Sequence, residues 1–167
     1  IYSTRNTASP YDNELVMTSE QAINLKGSLK LAGSMKMRVG TTLNLANMNL
    51  IIDTPEQHLV LESGGDILMG NTNPVAGDQG HYATVLQADG YVKLVADGTI
   101  QLGSDALIFA KAADSYIDIS ANELLVAGGI YAGATYGGDA DTPYTWTGSH
   151  ADVRISTDSK VIVGGQG

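Results

Sequence analysis

From Ile23 to Leu45 the chain alternates. Nine of the twelve odd positions carry a large apolar side chain (Ile23, Leu25, Leu29, Leu31, Met35, Met37, Val39, Leu43 and Leu45), and none of the eleven even positions does. Period two puts one face of an extended chain inside and the other in water. A helix would need apolar residues three and four apart, which this pattern denies it. The segment therefore reads as strand. A six-residue unit lies within the alternation: Ile23-x-Leu25-x-Gly27, Leu29-x-Leu31-x-Gly33, Met35-x-Met37-x-Val39. Repetition at fixed spacing marks a stacked architecture, in which each unit buries its apolar face against its neighbours. The glycines of the inward register would bend the chain at corners or let backbones approach closely.

Beyond this stretch the alternation loosens but persists. It predicts strands at 49–53, 58–62, 66–69, 82–88, 91–96, 99–102, 106–110, 116–120, 123–127, 152–156 and 160–163. Turn signals separate them: Asp53-Thr54-Pro55, Ser63-Gly64-Gly65, Asp89-Gly90, Asp97-Gly98 and Gly103-Ser104-Asp105. Residues 70–80 read as a longer loop, and no long helix is predicted. Residues 1–14 are polar and irregular and read as a linker from an upstream domain. Residues 15–127 form the body of the stack. Residues 128–167, with paired glycines and with Tyr131, Tyr136, Tyr144 and Trp146, read as a cap or tip.

Composition changes this picture in three ways. Twenty glycines, one Phe and one Trp argue for many small repeated contacts, since aromatics usually supply much of a core's buried area. No cysteine is present, so disulfides contribute nothing to stability. A net charge of −9 disfavours nucleic acid and anionic membrane as electrostatic partners. Between Thr41 and Val92 stand six acidic residues and no Lys or Arg.

Short strands with one apolar face cannot protect that face in a single layer. A sandwich needs longer strands and bulky filling, and a one-chain helix of roughly 18 residues per coil has few coils to share support. Three intertwined chains would supply three inward faces at every level. The expected fold is thus all-β: an intertwined homotrimeric β-helix, a triangular shaft whose core residues are Ile23, Leu25, Leu29, Leu31, Met35, Met37, Leu43 and Leu45. With each strand as its own layer, some fifteen strands would extend on the order of 70 Å.

The run from Ile23 to Gly40, followed by alternating strands and a glycine-rich end, resembles the central spike, or cell-puncturing protein, of contractile phage tails. The resemblance rests on pattern over roughly residues 15–167. It implies a non-enzymatic, homotrimeric virion protein at the tail tip that pierces the host's outer membrane. It also implies attachment to baseplate or tube proteins through an upstream domain. A receptor-binding or polysaccharide-depolymerising tailspike, a secretion-system spike and a single-chain β-helical acyltransferase are the rivals.

Candidate chemistry is sparse. His58, His81 and His150 are isolated in sequence, so folding alone would have to assemble a Ser/His/acid set, and the His-x-His pair of such spikes' apical iron site is missing. His150 could meet its own copies on a three-fold axis and hold a metal ion by one nitrogen each; no other cofactor is expected. Asp139 and Asp141 could offer oxygen ligands to calcium, although a solvated turn accounts for them as well. Lys26, Lys30, Lys36 and Arg38 share the outward face. Tyr144 and Trp146 are the expected tip contacts.

Overall fold

Alternating strands bury nothing until other strands flank them, and here the chain supplies its own flanking strands. The computed structural model describes residues 2–5, 13–70, 84–136, 144–147 and 150–164. Its chain winds as a three-sided solenoid. β1 (Tyr2–Arg5) lies antiparallel along β2 (Asn13–Ser19), and β2, β3 (Ile23–Asn24) and β4 (Gly27–Leu31) make the first coil. β5 (Ser34–Val39), β6 (Leu43–Asn44) and β7 (Met48–Ile52) make the second. β8 (Leu59–Ser63), β9 (Ile67–Met69) and β10 (Thr84–Ala88) make the third. In the fourth, β11 (Tyr91–Leu102) runs along two sides and β12 (Ala106–Ala110) closes the third. β13 (Tyr116–Val126) and β14 (Gly129–Ala132) repeat that plan. A hairpin of β15 (Ala134–Tyr136) and β16 (Tyr144–Trp146) then leaves the coil, and β17 (Asp152–Val163) begins a sixth turn.

Every coil-to-coil pairing is parallel. Side one stacks β2, β5, β8 and the first halves of β11, β13 and β17. Side two stacks β3, β6, β9 and the second halves of the same three long strands. Side three stacks β4, β7, β10, β12 and β14. Glu14 lies opposite Ser34, Met35 opposite Leu59, and Val92 opposite Ile117. The stacking period is therefore 20 to 25 residues in the regular coils.

The six-residue unit is thus one side of a coil, and its copies follow one another around a turn without stacking on each other. Glycine marks the corners. Gly27 opens β4 at φ +99°, where a side chain would be strained. The next corner column brings Gly64 against the backbone of Gly40, leaving no room for a Cβ.

The inward register is the one that the alternation predicts. Met35, Met37, Val39, Leu43 and Leu45 are fully buried, and Ile23, Leu25, Leu29 and Leu31 of the first coil pack half-buried against them. The same core cluster continues through Leu50, Leu61, Leu94, Ile108 and Ile119 to Leu124. This corrects one expectation: closing the interior takes no second chain. Three corners per turn bring three strands of one chain round a common axis, so the apolar face is covered within the chain. The expected length also falls. Three sides share each layer, and six layers at roughly 4.8 Å span about 24 Å.

The winding runs without a break through residue 127, since Leu107 pairs with Gly129 and Ile117 with Val153. Side three carries a second, smaller cluster on its outside, where Val85, Leu107, Phe109 and Ala134 are buried beside Tyr131. Among the described residues nothing lies over the inward row of β17, and Val153, Ile155, Val161 and Val163 stay exposed.

Candidate functional site

Stacked parallel coils place equivalent residues in columns, one per layer. Chemistry on such a molecule is therefore read up a column. The outer surface of side one has two columns of interest.

At the edge of side one stand Glu14, Ser34, His58, Tyr91 and Tyr116. The His58 ring stacks on Tyr91 at 4.5 Å, and Tyr91 stacks on Tyr116 at 4.8 Å, with interplanar angles of 3° and 6°. The Arg154 guanidinium lies over Tyr116, 5.1 Å from its centroid. His58 Nδ1 is 3.1 Å from Ser34 Oγ, and His58 Nε2 is 3.8 Å from Glu14 Oε1. Folding thus assembles a Ser–His–Glu set that no sequence spacing announces. Its geometry opposes nucleophilic use. Ser34 is 5% exposed, its hydroxyl lies 2.9 Å from Gln57 Oε1, and it accepts the backbone N–H of His58 at 3.1 Å. A nucleophile must present a free lone pair to its substrate, and these contacts occupy the hydroxyl.

Burial pushes the His58 imidazole below the ordinary histidine value, while the Glu14 carboxylate pulls it up. Burial, then Tyr116 and Glu14, push the Tyr91 phenol up. On side three, burial raises the Asp53 carboxyl, but Lys30 and Gln87 outweigh it and hold the group below its usual range. Lys30 Nζ sits 3.0 Å from Asp53, and Gln87 donates to Asp53 at 2.6 Å.

The second column lies at the corner between sides one and two. Thr18 faces Arg38, Arg38 faces Glu62, and Glu62 faces Val95, across four consecutive coils. Ser19, Glu20, Gly40, Ser63, Gly64 and Asp97 flank that column, with Lys36 beside it, and together they line an open groove of about 950 Å³. Lys36 pairs with Glu62 at 3.4 Å. Arg38 and Asp97 are exposed. The groove is polar and mixed in charge. The notable signal in the sequence was Arg38 at an outward position, but nothing there shows Glu20 and Asp97 beside it.

The other expected residues are dispersed. Trp146 lies in β16 and is 62% exposed, with its ring edge-on to Tyr131 at 6.5 Å. Tyr144 lies in the same strand, but its side chain is outside the described residues. His150 is exposed at the entry to the last coil and donates its backbone N–H to Ala113 O at 3.2 Å. Among the described residues no three His, Asp or Glu side chains come together as a metal site. His81, Asp139 and Asp141 lie outside the described residues.

No protein-family model matches the chain, and neither the curated proteins nor the solved structures include a match.

Proposed function

We propose that this chain is a structural element of a piercing spike of the contractile-tail type, with a mechanical role and no catalytic one. The supporting observation is the core, which runs unbroken from Met35 in the second coil to Leu124 in the fifth. Each of the first five layers is joined to its neighbour by parallel ladders on three sides. A body of this kind cannot bend without breaking hydrogen bonds and apolar contacts together, and it unfolds slowly. That suits a part that transmits force at a virion's tail tip into a bacterial outer membrane.

In that setting the chain would act as a homotrimer, held to baseplate or tube proteins by other parts of the assembly. Each solenoid closes its own core, so three copies would pack side by side about the spike axis. A metal ion held by His150 from each copy belongs to that arrangement. Trp146 at the hairpin would be the contact with the target surface.

The test uses particles that carry Leu94→Asp, which buries a charge in the fourth coil. Such particles should attach to cells normally and lose penetration. Loss of attachment with normal penetration by particles already attached would replace the spike by a receptor binder. The groove at the corner of side one favours that second reading.

A further inference from the structure

We infer that the corner groove of side one is a binding site for a neutral, extended saccharide chain. The inference stands apart from the mechanical role and does not depend on it. Three features carry it: the direction of the groove, its chemistry, and the unused bonding capacity of its side chains.

The groove follows a ladder column, so it runs across the strands and along the solenoid axis. Its residues come from four successive layers: Thr18 to Glu20, Lys36 to Gly40, Glu62 to Gly64, and Val95 with Asp97. Three layer spacings amount to roughly 14 Å. A ligand lying there crosses one layer of lining residues every roughly 4.8 Å, a repeat close to that of an extended, β-linked sugar chain.

The lining suits a polyhydroxyl ligand. Each sugar hydroxyl can donate and accept at once. Glu20 and Asp97 offer carboxylate acceptors, Arg38 offers a planar fork of donors, and Thr18 offers a hydroxyl. The side chains of Arg38 and Asp97 make no hydrogen bond or ion pair with any described residue, so binding would not have to break an existing one.

Other polymers fit less well. An anionic chain would meet three carboxylates (Glu20, Glu62 and Asp97) against two cations, and Glu62 already pairs with one of these, Lys36. The net charge of −9 adds to that repulsion. A peptide would look for a free strand edge or an apolar pocket. Three of the four strands beneath the groove (β5, β8 and β11) are paired on both sides, and the described pairing of β1 with β2 ends at Val16, so a peptide would find at most a short edge at Thr18 and Ser19. The only large apolar side chains in the lining are Val39 and Val95.

Titration calorimetry of the full chain with cellohexaose and chitohexaose, with hexagalacturonate as the acidic comparison, tests the inference. At least one neutral oligomer should bind saturably. Arg38→Gln and Asp97→Asn should each weaken it about tenfold or more, as expected for loss of a charge-assisted hydrogen bond. Both variants should keep the wild-type thermal transition, because neither side chain holds the fold. Lys160→Ala, in the last coil, should leave binding unchanged. No saturable binding of either neutral oligomer at millimolar concentration would overturn the inference. So would binding of hexagalacturonate alone, or neutral binding that ignores Arg38 and Asp97.

Discussion

His58 shows how a column can give an ordinary residue a special setting. Its ring is covered by Tyr91 on one face, and its Nδ1 lies against Ser34. Burial holds its pKa below the ordinary value, despite Glu14. In the window just below that ordinary value the unfolded chain therefore binds more protons than the native one. Stability then rises with pH through the window and falls as pH drops through it. The thermal transition should decline between pH 7 and pH 5, and His58→Gln should flatten part of that decline. An equal decline in the variant would show that His58 is not its source; Asp53, whose carboxyl is held below the usual carboxylate range, loses its contribution only below about pH 5.

The same residue-by-residue view separates two kinds of outward charge. Lys30, Lys36, Lys93 and Lys160 each pair with a carboxylate, at 3.0 to 3.9 Å. Such exposed pairs contribute about 0–1 kcal/mol each, so they tune the coil stacking without deciding it. Arg38 has no such partner among the described residues, which is why it is the residue to follow in binding experiments.

Among the elements, corners carry constraints that the sides do not. On the sides, neighbouring coils meet through side chains, and a change of volume can be absorbed by repacking. At the corner after side one the backbones of Gly40 and Gly64 touch directly. A Cβ on Gly64 must push the whole corner apart. Gly64→Ala should therefore destabilise the fold by about 1–3 kcal/mol, the usual range for overpacking, although it removes a flexible residue. Gly164, beyond β17, has open space around its Cβ position, and Gly164→Ala should leave the denaturation midpoint unchanged. Chemical denaturation of the two variants side by side checks the contrast.

For the whole molecule the question is which contacts are internal to one chain. The buried row from Met35 to Leu124 is internal, so association and folding are separable. If a trimer forms, dilution should lower the light-scattering mass while the β-sheet circular dichroism holds. Mass and dichroism falling together would mean that the chains share one core after all.

Much of the architecture was legible in the sequence, for local reasons. Period two from Ile23 to Leu45 identifies strand and decides which face is inside, because a strand's side chains alternate whatever it later pairs with. Asp-Gly and Gly-Gly dipeptides mark the corners, because few other residues turn so sharply. The observed β12 accordingly lies where the alternation puts it, whereas β11, β13 and β17 each run on as one strand where two were expected, β11 straight through the Asp97-Gly98 turn signal. The partner of each strand was not legible. Glu14 finds Ser34 and Leu59 finds Val92 only because the chain turns three corners per coil, and nothing in a six-residue unit counts those corners. For the same reason the sequence could not say that one chain closes its own core, nor that Thr18, Arg38, Glu62 and Asp97 would line one groove. Alternation is a property of single strands. Columns exist only after the coils have stacked, and both the closed core and the groove are made of columns.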